Sequence, residues 1–133
     1  MSTTTPNKTP RVVLASTSNP ALGTIRSAVV DLRAALGGYL TIKLNTVTAP
    51  TVQCVATVLI AHSSTIETAA AEGLIWKQYP FFVGSGILAS TSTSQGIAID
   101  QSVMQFYVEF TGNTGQAVTC EAFFSAFTSY STV

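Results

Sequence analysis

Apolar and polar side chains alternate at every second position in several short segments of this 133-residue sequence. In YLTIKLNTV, residues 39–47, the side chains of Leu40, Ile42 and Leu44 share one face of an extended chain. Successive side chains of a β-strand point to opposite faces, so this period is typical of a strand that is buried on one side. VMQFYVEFT, residues 103–111, repeats the pattern. The inward residues expected there are Met104, Phe106, Val108 and Phe110.

Two further segments carry apolar residues on both strand faces. VQCVATVLIAH, residues 52–62, is apolar on each side and is expected to be covered on each side. Its two apolar sets are Val52, Cys54, Ala56, Val58 and Ile60, and Val55, Leu59 and Ala61. In residues 117–128, one face is wholly apolar, with Val118, Cys120, Ala122, Phe124 and Ala126. The other face is polar except for Phe123 and Phe127, and this exception needs a physical reason.

Turn-forming residues separate the strand candidates, and no alternation of strands with helices is present. The candidates are residues 11–16, 25–31, 39–47, 52–62, 74–87 with a break at Pro80, 97–100, 103–111 and 117–128. Seven to eight short strands of this kind predict an all-β fold, an antiparallel β-sandwich or jelly roll. A single helical turn is expected at 32–36, and a helix over the whole of 25–36 is the alternative, because its apolar residues also fit a helical spacing.

The N-terminal residues differ in composition from the rest. Residues 1–10, MSTTTPNKTP, are rich in Thr and Pro, so we expect a flexible N-terminal arm. The remaining residues, 11–133, are enough for one β-sandwich domain.

Charged residues make up only 9 % of the chain, against roughly 25 % in typical soluble domains. The formal net charge is zero, and the six Lys and Arg residues are scattered, so we expect no nucleic-acid partner. The polar surface must then come mainly from 14 Ser and 20 Thr residues, which protect weakly against association. This composition favours a protein that works within an assembly.

Membrane and secretion signals are not evident in the sequence. The apolar runs are shorter than the ~18 residues that a membrane span needs, so no membrane partner is expected. The N-terminus is polar and lacks an apolar signal segment, which favours an origin in the cytoplasm.

Residues with catalytic potential are few. His62 is the single histidine, and its neighbours Ser63 and Ser64 cannot form a triad with it, because adjacent strand residues point apart. Glu109 and Glu121 are expected to be cross-strand neighbours about the 112–116 turn, but on an outward face, where carboxylates are normally solvated. We therefore expect no enzymatic activity, no cofactor and no metal site. Cys54 and Cys120 are expected to be reduced core residues.

The two outer-face phenylalanines suggest an interface. Phe123 and Phe127 share one face, and Tyr107 joins them if residues 103–128 form a regular hairpin. Concentrated exposed aromatic residues usually mark a site of protein association. The competing explanation is that the connection at 63–73 lies over this face within the same chain. We take the subunit interface as the working hypothesis, with Phe123, Phe127 and Tyr107 as its residues.

Two segments resemble small structural proteins of tailed bacteriophages. They are VVDLRAALGGYLTIKLNT at 29–46 and VEFTGNTGQAVTCEAFFSAFT at 108–128, about a third of the chain. The resemblance is to virion proteins of the capsid decoration (head cement) type. It implies a role without catalysis, in which the protein stabilises the head shell by covering the joints between shell subunits.

The resemblance also implies partners and a location. The chain is expected to form a dimer or trimer, to bind a major capsid protein or another virion protein, and to reside in the virion after assembly in the host cytoplasm. The N-terminal arm is expected to bind the shell and to order on binding. Its candidate residues are Thr3, Thr4, Thr5, Pro6, Lys8 and Arg11.

Two other functions remain open. The first is a structural protein of the tail, neck or baseplate of the same virion. The second is a carbohydrate-binding jelly-roll module, in which aromatic side chains form a platform for a sugar ring. The residues considered for that platform are Trp76, Tyr79, Phe81 and Phe82.

Overall fold

A computed structural model describes residues 4–46, 48–70, 74–84 and 91–132. Within these ranges the regular structure is entirely β-strand. The strands are β1 (Thr4–Asn19), β2 (Ile25–Arg26), β3 (Val30–Asp31), β4 (Gly38–Asn45), β5 (Val55–Ala61), β6 (Lys77–Val83), β7 (Thr93–Ile99), β8 (Gln105–Thr111) and β9 (Val118–Thr132). The prediction of an all-β fold is confirmed.

Two antiparallel sheets form the sandwich. The four-stranded sheet has the order β1-β9-β4-β7, and the five-stranded sheet has the order β2-β8-β5-β6, with β3 also paired to β8. All the pairings are antiparallel. The architecture is therefore the antiparallel sandwich that the alternating segments predict. The strand number is higher than expected because the predicted strand at 25–31 is divided into β2 and β3.

The core lies between the facing sides of β4 and β9 in one sheet and β5 and β8 in the other. Leu40, Ile42 and Leu44 are buried there, as the alternation predicts. The rings of Phe106 and Phe124 meet across the sheets with their centroids 5.0 Å apart and their planes at 61°. An edge-to-face contact of this kind adds about 0.5–1.5 kcal/mol to the free energy gained by burial alone.

The outer side of β5 and β8 is covered by the connection that follows β5. Tyr107 is fully buried, and the ring of Trp76 packs edge-on against it with the centroids 4.7 Å apart. Leu59 and Ala61 complete this second apolar cluster, with Ala69 packed against it. The prediction that the 52–62 segment is covered on both faces is confirmed for β5, whereas Val52, which precedes the strand, is 52 % exposed.

Gln105 holds this connection in place. Its amide nitrogen donates to the carbonyl oxygens of Ser63 (3.2 Å) and Thr65 (2.9 Å), and its amide oxygen accepts the N–H of Glu67 at 2.8 Å. The Gln105 side chain is completely buried, so these backbone groups take the place of water. The hydrogen bonds of this one side chain therefore fix the backbone of a connection that has no regular secondary structure.

The expected hairpin between β8 and β9 does not form. β8 belongs to the five-stranded sheet and β9 to the four-stranded sheet. Asn113 is buried and is bound to Asn19 at the end of β1. Its Oδ1 accepts a hydrogen bond from the Asn19 Nδ2 at 2.8 Å, and its Nδ2 donates to the backbone carbonyl of Asn19 at 3.0 Å. Gly112 and Gly115 have φ angles of 93° and 85°, which non-glycine residues rarely adopt. The segment therefore crosses from one sheet to the other.

Two predictions that depended on the hairpin are wrong. Tyr107 does not share a face with Phe123, because the two residues lie in different sheets. Glu109 and Glu121 are not cross-strand neighbours for the same reason. Glu109 instead accepts a hydrogen bond from the Nε of Arg26 at 2.7 Å, and Glu121 pairs with Lys43 in the backbone register of β4 and β9.

Residues 4–10 form part of β1, whereas the sequence predicts a flexible arm. They pair with the C-terminal half of β9, from Thr4 opposite Thr132 to Pro10 opposite Ser125. Thr is a good strand former, and an edge strand tolerates Pro, so the composition that suggested an arm is also compatible with a strand. Whether the domain folds without these residues stays a prediction.

The position of Pro10 explains why it does not break the strand. Phe127 donates its N–H to Gly37 on the β4 side. Because backbone groups alternate sides along a strand, Ala126 directs its groups towards β1, where it pairs with Thr9. Pro10 then has its nitrogen at the free edge of the sheet. No ladder hydrogen bond is lost there, and a strand from another molecule would find no donor.

The region 25–36 contains no helix. Val30 and Leu32 are both buried, so the core uses a period of two rather than the helical period. Between β2 and β3 the chain stays beside β8, because Ser27 exchanges two hydrogen bonds with the backbone of Val108. A single turn follows, in which the N–H of Ala35 donates to the carbonyl of Leu32 at 3.1 Å.

We expect Gln105→Ala to lower the free energy of unfolding by roughly 2–4 kcal/mol, because several buried backbone groups lose their partner at once. Trp76 is the single tryptophan, so its fluorescence reports directly on the connection. Urea titration followed by this fluorescence measures the effect. Gln101→Ala, at an exposed turn position, is the control and should change the stability by less than about 0.5 kcal/mol. A Gln105→Ala protein as stable as this control would show that the loop does not depend on the amide.

Candidate functional site

The outward side of the four-stranded sheet, which we call the exposed face, is the candidate site. Cross-strand register defines its rows. Val12, Phe123, Thr41 and Gly96 form one row across β1, β9, β4 and β7, and Pro10, Ser125, Tyr39 and Ala98 form the next. Further rows hold Lys8 beside Phe127, and Glu121 beside Lys43 and Ser94. Strand alternation places these residues opposite the core side chains of the same strands.

A groove of about 330 Å³ runs across the exposed face. The small residues Thr41 and Ser125 lie between the larger Tyr39 and Phe123, and this difference in size leaves the depression. Val12, which is 56 % exposed, forms the other wall. The groove is therefore a product of side-chain sizes along two neighbouring rows of a regular sheet.

Tyr39 owes its position to Gly96. A Cβ atom at residue 96 would lie 2.5 Å from Cε2 of the Tyr39 ring, so the ring occupies the space above the β7 backbone. Only glycine leaves that space free. Tyr39 remains 49 % exposed, so the ring has protein on one side and is accessible from the groove.

Lysine side chains lie over both outer-face phenylalanines. The Nζ of Lys43 is 5.5 Å from the centroid of the Phe123 ring, and the Nζ of Lys8 is 5.8 Å from that of Phe127. Each contact is worth about 0.5–1 kcal/mol at an exposed site. Phe123 and Phe127 are half-buried in consequence. The lysine side chains partly cover the two rings, which allows phenylalanines on an outward face of the chain.

The charge of the exposed face is positive, although the chain as a whole has none. Lys8 and Lys43 point outward, against the single carboxylate of Glu121. The ion pairs found among the described residues, Arg26–Glu109 and Arg33–Asp31, both belong to the five-stranded sheet. The hydrogen bonds from Arg33 lower the pKa of Asp31 to about 2.

A second groove, of about 320 Å³, continues the exposed face towards the far end of β4. Its lining is polar and includes Lys43, Asn45, Ser92, Ser94, Thr119 and Glu121. The Ser92 hydroxyl donates to the Asn45 side-chain oxygen at 3.2 Å and accepts the N–H of Thr46 at 2.9 Å. Aromatic and hydrogen-bonding surfaces therefore lie side by side on one sheet face.

The structure places the predicted interface residues as follows. Phe123 and Phe127 lie on the exposed face, as predicted. Tyr107 does not: it has no accessible surface and packs under Trp76, so it cannot contact a partner. Val12 and Tyr39 also lie on the exposed face and were not predicted as site residues, although the alternation in 39–47 directs the Tyr39 side chain outward. Whether Phe123 and Phe127 form a subunit interface stays a prediction.

The predicted shell-binding residues adjoin the same face. Thr3 lies outside the described residues, and Thr4, Thr5 and Pro6 belong to β1. Lys8 lies over Phe127, and Arg11 lines the groove beside Phe123. Among the predicted shell-binding residues whose side chains are described, Lys8 and Arg11 therefore lie next to the predicted interface residues Phe127 and Phe123. Shell binding by these residues stays a prediction.

The aromatic residues considered for a sugar platform are placed differently from the expectation. Trp76 is only 3 % exposed, and its indole N–H donates to the carbonyl of Thr68 at 3.0 Å, so it is a core residue. Tyr79 is half-buried, and its hydroxyl donates to the carbonyl of Ala98 at 3.1 Å. The side chains of Phe81 and Phe82 lie outside the described residues.

Titratable groups with unusual chemistry are scarce in the described part of the chain. It contains no group of three His, Cys, Asp or Glu side chains that could hold a metal ion. It also contains no apolar helix of membrane-spanning length.

Comparison with known proteins supports the β-sandwich fold and does not assign the chain to a protein family. No protein-family model and no curated protein matches the sequence. Among solved structures, the chain is similar to one from infectious bursal disease virus, Gx strain, with 16 % identity and a TM-score of 0.53. That match covers 97 % of this chain and 32 % of the viral one. At this identity the likeness shows the β-sandwich fold alone.

Two further structures are similar at lower scores. The enzymatically active domain of tailspike protein 4 of bacteriophage CBA120 has 10 % identity and a TM-score of 0.45, over 100 % of this chain and 19 % of the other. A family 16 carbohydrate-binding module has 9 % identity and a TM-score of 0.42, over 89 % of this chain and 75 % of the module. Structures with β-sandwich folds from a virus and a phage are thus among the neighbours of this chain.

The contact between Tyr39 and Gly96 gives a test of the groove. We expect Gly96→Ala to lower the free energy of unfolding by about 1–3 kcal/mol, because the added methyl group displaces the ring. In the Tyr39→Ala background the same substitution should cost at least about 1 kcal/mol less, because no ring is left to displace. Thermal unfolding of the four proteins of this cycle measures the coupling. Equal costs in both backgrounds would show that the ring does not occupy the space above Gly96.

Proposed function

We propose that this protein is a non-enzymatic structural protein of a phage virion, which attaches to its neighbours through the exposed face of the four-stranded sheet. The single observation that carries the proposal is the asymmetry of the sandwich. The outer side of β5 and β8 is covered by the connection between β5 and β6. The two grooves of the exposed face, in contrast, are lined by residues of the four-stranded sheet itself and by Ser92. The outer apolar surface of the five-stranded sheet is thus covered within the chain, and the four-stranded sheet presents aromatic residues to a partner.

Within this role we propose a capsid decoration function, with the protein bound at joints of the head shell. Three observations support it. The segments at 29–46 and 108–128 resemble proteins of that type, and the fold is a β-sandwich like that of the viral chain. The low content of charged residues also suits a protein that functions within an assembly. A position in the tail, neck or baseplate is the alternative, and labelling the protein in virions for electron microscopy separates the two.

The chemistry of the exposed face indicates what kind of partner it fits. Its centre is aromatic, and its cations Lys8 and Lys43 outnumber its one carboxylate. A complementary surface has apolar side chains at its centre and carboxylates around them. We propose that a shell protein supplies such a surface, and that a second copy of this chain binds through Phe123 and Phe127 to give a dimer or trimer.

The edge of the four-stranded sheet is a less suitable attachment site than its face. Pro10 withholds a backbone donor at the free edge of β1, as described above, and Lys8 places a charge nearby. Both are devices by which edge strands avoid pairing with other molecules. Attachment through side chains of the face agrees with this protection of the edge.

The first test is the mass of the protein in solution, measured by light scattering. We expect an oligomer for the wild type and a folded monomer for Phe123→Ser with Phe127→Ser, so that the mass falls two- or three-fold. Leu74→Ser is the matched control, since Leu74 is 98 % exposed and lies outside the exposed face. Circular dichroism verifies folding of each variant. A wild-type monomer would contradict self-association through these phenylalanines.

The second test concerns attachment to the shell. Deleting residues 1–10 should leave the fold intact, because the described side chains of 7–10 are all exposed, yet it removes Lys8 from the exposed face. We therefore expect weaker binding to shells in a sedimentation assay. Lys8→Glu with Lys43→Glu should weaken it at least ten-fold by reversing the charge. Undiminished binding by both variants would contradict attachment through this face.

A carbohydrate-binding module is the second candidate function, and one observation favours it. The ring of Tyr39 lies over the β7 backbone beside a groove, and the adjoining groove offers hydroxyl, amide and carboxylate groups. A half-exposed aromatic ring next to hydrogen-bonding groups is a suitable platform for a sugar ring. Selective binding on a glycan array that is lost in Tyr39→Ala and kept in Trp76→Phe would favour this function over the structural one.

A further inference from the structure

The two cysteines lie in different sheets and meet in the core. Cys54 precedes β5 of the five-stranded sheet, and Cys120 belongs to β9 of the four-stranded sheet. Both are free thiols with no accessible surface. They are the only cysteines of the chain. Any bond between them would link the two halves of the sandwich covalently.

Contacts with one strand pair place the two sulfur atoms in the same part of the core. Asn19 and Val118 are cross-strand partners in β1 and β9. The Nδ2 of Asn19 is 3.8 Å from Sγ of Cys54, and Sγ of Cys120 is 3.6 Å from the carbonyl oxygen of Val118. Both sulfur atoms are therefore anchored to the same pair of residues.

A second set of contacts leads to the same placement. A Cβ atom at Gly84 would lie 2.8 Å from Cδ1 of Leu44 and would also clash with the carbonyl oxygen of Cys54. Leu44 is the cross-strand partner of Cys120. Residue 54 thus lies next to the Leu44–Cys120 pair from the opposite sheet. The interaction of the two thiols lowers the pKa of Cys54 and raises that of Cys120, which agrees with this placement.

We infer that Cys54 and Cys120 form an intersheet disulfide bond when the protein meets an oxidising environment. With a small disulfide such as oxidised glutathione, one thiolate attacks a sulfur atom of the reagent and releases one reduced glutathione. The second protein thiol then attacks the mixed disulfide and releases the other. In sum, two protein thiols are oxidised and one glutathione disulfide is reduced to two thiols, with both protons passing to the leaving thiolates.

Burial determines when this exchange takes place. Neither sulfur atom is accessible in the folded chain, so the reagent can react only during folding or transient opening. The thiols therefore persist in a reducing compartment and become linked after folding or refolding in an oxidising one. The bond would close a long segment between β5 and β9 and so restrict the unfolded chain. This inference does not depend on the proposed function.

The test compares wild-type protein refolded with a reduced and oxidised glutathione mixture and protein refolded with a strong reductant. We expect the oxidised sample to be monodisperse under denaturing, non-reducing conditions, to be lighter by the mass of two hydrogen atoms and to contain no titratable thiol. Peptide mapping should recover Cys54 linked to Cys120. The melting temperature should rise by roughly 10–20 °C, an effect that the reductant reverses.

Two variants serve as controls. Cys54→Ala and Cys120→Ala should show neither the loss of mass nor a difference in melting temperature between the two conditions. The comparison within the wild type does not require either variant to fold. The inference would be overturned if the protein refolded in the glutathione mixture were recovered folded with both thiols still titratable. A disulfide that forms only between chains, or one that lowers the melting temperature, would also overturn it.

Discussion

The packing of the β5–β6 connection on its own sheet is the interaction on which the rest of the structure depends. Gln105 holds the loop backbone, and Trp76 and Tyr107 fill the space beneath it. This contact makes the two sides of the sandwich unequal. Because of it, β5 and β8 of the five-stranded sheet are buried on both faces. The accessible aromatic residues then lie on the outward face of the four-stranded sheet.

The inequality extends to charge. The ion pairs of Arg26 and Arg33 belong to the five-stranded sheet, where they leave little net charge, and the lysines of the other sheet lie over phenylalanine rings instead of pairing with acids. A protein with zero net charge thereby acquires one positive, aromatic face. Placement of a few charges, rather than their number, decides which surface of such a chain is suited to recognition.

Local patterns predicted the parts of the fold that local chemistry controls. Alternation identified β4, β5, β8 and β9, because one or two buried faces impose a regular period on each strand. The sequence pattern failed where a distant partner decides the outcome. The TGNTGQ segment has the composition of a hairpin turn, but Asn113 binds Asn19, some ninety residues away, and the chain crosses between the sheets. Thr4–Pro10 resembled an arm because its partner strand lies at the other end of the chain.

The pairing of β1 with β9 has a mechanical consequence. Thr4 lies opposite Thr132, so the two ends of the described chain leave the molecule at the same place and from antiparallel neighbours. A force that pulls these ends apart would open the ribbon one hydrogen bond at a time, which is the weak direction for a pair of strands. A force borne by the side chains of the sheet face would be spread over four strands at once. The topology thus makes the sheet face the strong point of this molecule and the chain ends its weak point.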